Sequence, residues 1–210
     1  MYEEGRSGSW EWAVTSRPSE GEEVCGDQWV VAERADATLF GAIDGLGHGA
    51  EAAAAARLAA GVLAQNAPEP LDGLLVLCHQ ALAASRGAAV TLALVDREGR
   101  WLRWLGVGNV SGFLVRSGMP TPLGGGPLAA LVLGGIVGFE LPSLHVPGPV
   151  ETSPGDLLIL ATDGVRLNLE PSSRLSGPIG RLASDLLGKN ATSRDDALVL
   201  TARQRGDTTG

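Results

Sequence analysis

The chain has 210 residues, enough for one ordinary domain with its own core. Its 44% hydrophobic and 19% charged residues are typical of a globular protein and exclude a disordered one. The formal net charge of −8, with Lys189 as the one lysine, argues against nucleic acid or an anionic membrane as a partner.

Segments with alternating or continuous apolar residues predict strands along most of the chain. In chain order the predicted strands are 9–15, 27–33, 38–43, 89–95, 101–107, 111–116, a weak one at 132–137, a short one within 143–151, 156–162 and 196–203. Helix-favouring sequence occupies 48–65, 70–85 and 178–187.

The order of these elements is strands, two helices, many strands, a helix and a final strand. Strict alternation of strands and helices, which a parallel sheet would require, is absent from this order. The pattern instead predicts an α+β layered sandwich, with antiparallel sheets and helices packed on their faces. The five consecutive alanines at 52–56 predict a helix that packs closely against a sheet.

The cysteines and the N-terminal sequence indicate the compartment of the protein. Cys25 and Cys78 form no CxxC pattern, so we expect reduced thiols and a cytoplasmic protein. The acidic, polar start is unlike a signal peptide.

We expect one domain over 1–210, with frayed ends at 1–8 and 204–210. Segment 117–139 is long enough to span a membrane, but its glycines and three prolines predict a loop and a buried strand.

An aspartate stands at the edge of each of four apolar strands. These residues are Asp27, Asp44, Asp163 and the neighbours Asp195 and Asp196. Taken alone, each is typical of a turn that happens to hold an acid. Together, carboxylates at neighbouring strand ends would repel one another unless a cation lies among them, and oxygen ligands suit Mg²⁺ or Mn²⁺. The glycines of "DGLGHG" at 44–49 would let the backbone approach an ion or a phosphate at a helix start.

The ordered set of motifs resembles the metal-dependent protein phosphatases of the type 2C superfamily, from residue 25 to about residue 201. The matching pieces are "GD" at 26–27, "DGLGHG" at 44–49, "VGNV" at 107–110, "TDG" at 162–164 and "RDDALVL" at 194–200. Within the superfamily, these pieces and "RGAAVTLAL" at 86–94 are most similar to the RsbX-type phosphatases that reset the stressosome in Gram-positive stress signalling.

This resemblance implies a four-layer α-β-β-α sandwich and two Mn²⁺ or Mg²⁺ ions. Asp44 would bridge both ions, and Gly45 would bind one of them through its carbonyl oxygen. Asp163 and Asp195 would complete the other site. Asp27 would hold a metal-bound water, and Asp196 would be a supporting acid at a position where many relatives have asparagine. The third metal of many bacterial relatives has no clear counterpart here.

The resemblance also implies a reaction and a partner. A water activated between the two ions would attack phosphoserine or phosphothreonine without a covalent enzyme intermediate. The implied substrate is a phosphorylated stressosome scaffold or anti-sigma antagonist protein, and the implied enzyme is a monomer. His48 is a candidate general acid or a solvent-facing residue at a helix start. Arg17 is a candidate phosphate-binding residue or a surface arginine, because it stands ten residues before Asp27 whereas relatives have it a few residues before.

Two other functions fit parts of the sequence. An ATP-binding kinase of the anti-sigma type would need glycine where this chain has Leu46, and would leave Asp163 and Asp195 unexplained. A catalytically silent partner-binding module would keep the fold without the chemistry. An unused carboxylate cluster is costly to desolvate, which argues against such a module.

Overall fold

The computed structural model describes residues 1–123, 132–170 and 175–206. Within these ranges the helices are α1 (Gly49–Gln65), α2 (Leu71–Leu82) and α3 (Ile179–Asn190). The strands are β1 (Tyr2–Ser7), β2 (Trp10–Arg17), β3 (Asp27–Glu33), β4 (Ala37–Gly45), β5 (Ala88–Asp96), β6 (Trp101–Val107), β7 (Ser111–Arg116), β8 (Met119–Pro122), β9 (Val132–Leu133), β10 (Val150–Glu151), β11 (Leu157–Ala161) and β12 (Ala197–Gln204).

The strands form two sheets. Sheet I has the order β1-β2-β12-β11-β7-β8, and sheet II has the order β10-β6-β5-β4-β3 with β9 beside β6. Neighbouring strands are antiparallel, except that the two residues of β9 pair with β6 in parallel.

Three layers of apolar side chains hold the sheets and helices together. One lies between sheet II and helices α1 and α2, a second lies between the two sheets, and a third lies between sheet I and α3. The predicted four-layer α-β-β-α sandwich is therefore confirmed, with one helix on sheet I and two on sheet II.

Helix α1 packs on sheet II through its alanines. Ala52, Ala53, Ala55, Ala56 and Ala59 are each at most 1% exposed. Their small side chains bring the helix backbone close to β3 and β4, as the sequence predicted. This short distance places the first turn of α1 beside the end of β4 at Asp44 and Gly45.

The N-terminal residues are a correction to the sequence prediction. We expected 1–8 to fray, but all six residues of β1 pair with β2 as the edge strand of sheet I. Gly5 allows this pairing, since a Cβ there would stand 2.7 Å from the Trp12 indole. At the other end, Gln204 belongs to β12 and Arg205 donates its backbone N–H to Ser9, while 207–210 lie outside the described residues.

The middle of the chain departs from prediction in smaller ways. Strand β8 was not predicted, and the predicted strand at 132–137 reduces to β9 and two isolated bridges. The predicted strand within 143–151 reduces to β10, because Pro147 and Pro149 cannot donate to a ladder. Of segment 117–139, residues 124–131 lie outside the described part. In the ranges that the structure describes, the helices are too short or too polar to cross a bilayer.

Candidate metal centre

The first two acids face each other at one end of sheet II. Asp27 begins β3, Asp44 lies at the end of β4, and the two residues are opposite each other in the antiparallel register. The backbone N–H of Gly45 donates to the carbonyl oxygen of Gly26 at 3.2 Å, which extends the ladder one residue further. Strand pairing alone therefore brings these two carboxylates together.

The other acids come from the facing end of sheet I. Asp163 follows β11, and Asp195 and Asp196 precede β12, which pairs with β11. Thr162 connects the two sheets, because its hydroxyl donates to Asp27 Oδ2 at 2.7 Å and accepts from the backbone N–H of Leu198 at 2.9 Å. All five acids thus lie at one end of the sandwich.

Asp44 and Asp163 are in direct contact. Their carboxyl groups share a hydrogen bond, and Asn109 Nδ2 donates to Asp163 Oδ2 at 2.5 Å. Asp163 is exposed, whereas Asp44 is partly buried. Asn109 follows β6 and belongs to the "VGNV" motif. The motif was noted in the sequence, but the contact of Asn109 with Asp163 was not predicted from it.

Burial and mutual repulsion raise the pKa values of Asp27, Asp44 and Asp163, which disfavours their ionisation without a counter-charge. Burial, and then the charges of Asp163 and Asp195, raise the pKa of Asp44 to about 8. Burial, followed by the charge of Asp44, raises the pKa of Asp27 well above its usual range, against a smaller lowering by the Thr162 hydroxyl. Burial and Asp195 also raise the pKa of Asp163. A divalent cation among these groups would reverse this, because it stabilises the ionised forms.

Asp196 supplies a further observation that fits a cation. It is 2% exposed, and its Oδ1 accepts the backbone N–H of Ser19 at 2.9 Å. Its Oδ2 is buried and has no hydrogen-bond partner among the described residues. Since a buried carboxylate oxygen without a partner is costly, this atom fits a metal ligand, and Asp196 becomes a stronger candidate than the sequence suggested.

The donor set determines which ions fit. Every candidate ligand is an oxygen, which suits Mg²⁺ or Mn²⁺. Within the part of the chain that the structure describes, no group of three or more Asp, Glu, His or Cys side chains is arranged closely enough to hold a metal ion. Mg²⁺ commonly keeps several waters and binds through one or two carboxylates, so it needs fewer protein ligands than such a group would provide.

Two glycines are required by close backbone packing at the site. A Cβ on Gly45 would stand 2.2 Å from the carbonyl oxygen of Ala52, and one on Gly164 would stand 1.9 Å from that of Asp196. Gly45 ends strand β4 and has no positive φ, so its backbone conformation does not require glycine. The reason for glycine is the short distance between β4 and helix α1.

Two other glycines leave room for charged side chains. Gly47 and Gly49 have φ of +89° and +76°, which favours glycine. A Cβ on Gly47 would lie 2.8 Å from an Arg86 guanidinium nitrogen, and one on Gly49 would lie 2.8 Å from Glu22 Oε2. Charged side chains therefore lie over the turn that follows Asp44.

His48 lies in this turn, at the start of α1. Its Nδ1 is 2.6 Å from Glu22 Oε1, and its side chain is 63% exposed. The ring makes no capping hydrogen bond to α1. It is therefore free to face a substrate, with Glu22 orienting the ring.

Arg17 is placed differently from what a free phosphate-binding arginine requires. Its guanidinium donates to the carbonyl oxygens of Pro18 and Thr192, the first at 3.2 Å. It thereby holds the loop that leads to Asp195. These two hydrogen bonds engage the Arg17 guanidinium with the backbone, although the residue is near the acids.

Among the described residues, neither the two thiols nor the cavity near Asp36 offers a second candidate site. Burial, and then the charge of Asp27, raise the pKa of Cys25 to about 11, so this thiol is no nucleophile at neutral pH. Cys78 is buried, and both thiols are free. A cavity of about 330 Å³ near Asp36 and Trp101 lies at the opposite end of sheet II from Asp44.

The chain matches the family model of stage II sporulation protein E (SpoIIE) over residues 34–205. It is 26% identical over 179 residues to the phosphoserine phosphatase RsbX of Bacillus subtilis. This alignment covers 85% of this chain and 86% of RsbX. A solved chain from work on the bacterial stressosome as a modular system is 27% identical, with a TM-score of 0.80 over 92% of this chain and 99% of the other. The crystal structure of RsbX in complex with magnesium has a TM-score of 0.82 at 22% identity, over 97% and 99% of the two chains.

Proposed function

The chain belongs to the SpoIIE family, and we propose that it is a Mn²⁺- or Mg²⁺-dependent phosphatase that hydrolyses phosphoserine or phosphothreonine in a stress-signalling protein. Its fold and its relatives are those of type 2C protein phosphatases of the RsbX kind, so it is a protein phosphatase. The metal, the ligands and the substrate are the proposed parts.

One observation carries the proposal: five aspartates from two sheets converge at one end of the sandwich. The charge of Asp163 helps to raise the pKa of Asp44, after burial, and the buried Oδ2 of Asp196 has no partner among the described residues. A fold that needed no cation would gain stability by replacing these acids with neutral residues. Binding of divalent cations would explain this arrangement.

We propose the ligands that the resemblance to type 2C phosphatases implies. Asp44 lies between the acids of the two sheets and would bind both ions, with the Gly45 carbonyl oxygen on one of them. Asp163 and Asp195 would bind the other ion. Asp27, held by Thr162, would bind a coordinated water, and Asp196 would add its unpartnered oxygen.

Bound ions would supply an acidified water as nucleophile and would offset the charge of the phosphoryl oxygens. The protein residues perform the remaining work. Asp44 would bind an ion in its ionised form, which a nearby divalent cation favours. Asn109 keeps Asp163 oriented through its hydrogen bond. His48, oriented by Glu22, would donate a proton to the leaving serine or threonine oxygen.

The proposed substrate follows from the relatives. RsbX is a phosphoserine phosphatase, and another similar chain comes from work on the stressosome. We therefore propose a phosphorylated stressosome scaffold or anti-sigma antagonist protein as substrate, for a monomeric, cytoplasmic enzyme. Purified phosphorylated scaffold should be hydrolysed faster than generic phosphopeptides, and equal rates would remove this specificity.

The test of the activity is an assay with Mn²⁺ and a phosphoserine peptide. We expect hydrolysis that a chelator abolishes and that Asp44→Ala reduces to background. Asp36→Asn, a change of an exposed acid in the β3–β4 turn, is the control and should retain full activity. Activity that is independent of metal, or that survives Asp44→Ala, would contradict the proposal.

A further inference from the structure

Arg86 lies beside the turn that follows Asp44, although it is 42 positions away in the chain. The carbonyl oxygen of Gly87 accepts the backbone N–H of Leu46 at 3.1 Å, which attaches the 84–87 segment to this turn. The Arg86 guanidinium then passes over Gly47, with one nitrogen 2.8 Å from the position that a Cβ would occupy. Any side chain at position 47 would displace it.

The contacts of Arg86 leave it available for a ligand. Its partner among the described residues is the Glu51 carboxylate, whose Oε2 lies 2.5 Å from both Nε and a terminal guanidinium nitrogen of Arg86. The arginine side chain is 49% exposed and Glu51 is 71% exposed, so the pair is solvated and contributes little to stability. Arg17 differs, because its guanidinium is committed to two backbone carbonyl oxygens.

The surface next to Arg86 is open. A cavity of about 440 Å³ borders it, with Ala54 and Leu58 of α1 as its apolar wall and Glu51 at its edge. The Arg86 side chain therefore borders open space as well as Glu51. The positive end of the α1 helix dipole also favours an anion here.

We propose that Arg86 is the residue that binds the substrate phosphate, exchanging Glu51 for the phosphoryl group when substrate enters; this rests on the proposed phosphatase function. The guanidinium presents parallel N–H donors that match two phosphate oxygens as well as two carboxylate oxygens. A phosphate dianion carries more charge than Glu51, which favours the exchange. Glu51 holds Arg86 over Gly47 until then.

The experiment compares Arg86→Gln with Glu51→Gln in the full chain, and uses inorganic phosphate as a product inhibitor. We expect Arg86→Gln to raise both KM for a phosphoserine peptide and the inhibition constant of phosphate about 10- to 100-fold, the effect of losing a charged hydrogen bond. Glu51→Gln removes the competing carboxylate, so we expect it to lower KM. Arg181→Gln, on α3 and 81% exposed, is the matched control and should change neither value.

The two variants separate phosphate binding from a structural ion pair. If Arg86 and Glu51 only brace the turn, both substitutions raise KM alike, and that result would overturn the proposal. Unchanged KM and phosphate inhibition in Arg86→Gln would overturn it too. The increase in Tm on adding Mn²⁺ should remain in both variants, since neither residue is an assigned metal ligand. Failure of the proposed function would show differently, as absence of Mn²⁺-dependent hydrolysis in the unmodified protein.

Discussion

Replacing Asp44 with asparagine should stabilise the metal-free protein while it removes metal binding. Burial and the charges of Asp163 and Asp195 raise the pKa of Asp44 to about 8 in the folded protein, from a usual value near 4 in the unfolded chain. At pH 7 folding therefore requires a carboxyl group to keep a proton that the unfolded chain has released. Asparagine has nearly the same shape and carries no such requirement.

The size of this change in the free energy of unfolding follows from the difference between pH 7 and the pKa of Asp44 in the unfolded chain. Roughly 3 pH units at about 1.4 kcal/mol each correspond to about 4 kcal/mol. Asp163 is exposed and can turn towards water, which relieves part of the repulsion. We therefore expect Asp44→Asn to raise the free energy of unfolding of the metal-free protein by about 2–4 kcal/mol at pH 7.

The pH dependence has a defined sign. Because the folded pKa lies above the unfolded pKa, Asp44 has no effect on stability below about pH 4 and lowers it progressively as pH rises from about 4 to 8. Asp44→Asn lacks this slope. The difference between the two proteins should thus be largest near pH 8 and should vanish at acid pH.

The assay is urea unfolding in a chelator between pH 4 and 8, repeated with Mn²⁺. With Mn²⁺ at about 100 times its dissociation constant, the unmodified protein should gain about 2.7 kcal/mol, and the variant should gain little. Asp36→Asn, which removes an exposed charge outside the cluster, should show neither effect. A metal-free Asp44→Asn less stable than the unmodified protein at pH 7, or a difference independent of pH, would refute the reasoning.

Three further substitutions test the packing and hydrogen bonds of the site. Gly164→Ala would place a Cβ 1.9 Å from a backbone oxygen and should cost about 3 kcal/mol in urea unfolding, whereas Gly188→Ala, with open space around it, should not destabilise. Thr162→Val would leave Asp27 and the Leu198 N–H without a buried partner and should cost about 2–5 kcal/mol, while Thr162→Ser retains both bonds; equal losses would contradict this role. Asp196→Asn should weaken Mn²⁺ binding about 10- to 100-fold by calorimetry, and unchanged affinity would exclude Asp196 as a ligand.

The strand ends that carry the aspartates could be predicted from the sequence, since each acid adjoins a continuous apolar strand. The antiparallel pairing of β3 with β4 and of β11 with β12 then brings these ends together. What sequence could not show is which oxygens lack partners. The isolation of Asp196 Oδ2 depends on the Ser19 loop and on the packing around Gly26, both far away in the chain.

The charged contacts around the turn after Asp44 were also beyond sequence reasoning. His48 meets Glu22 across 26 positions, and Arg86 meets Glu51 across 35. No local periodicity relates such residues, so only the folded chain shows that they are neighbours. Strand β1 could not be predicted for a similar reason. Its charged, exposed sequence gives no apolar pattern, and the strand forms by pairing with β2.

The central claim is that divalent cations bind among the aspartates where the two sheets meet. The most direct measurement is anomalous diffraction from crystals soaked in Mn²⁺. We expect two peaks, both beside Asp44, one of them also beside Asp163 and Asp195. The absence of peaks at Asp44, with Mn²⁺ bound elsewhere or not at all, would contradict the claim.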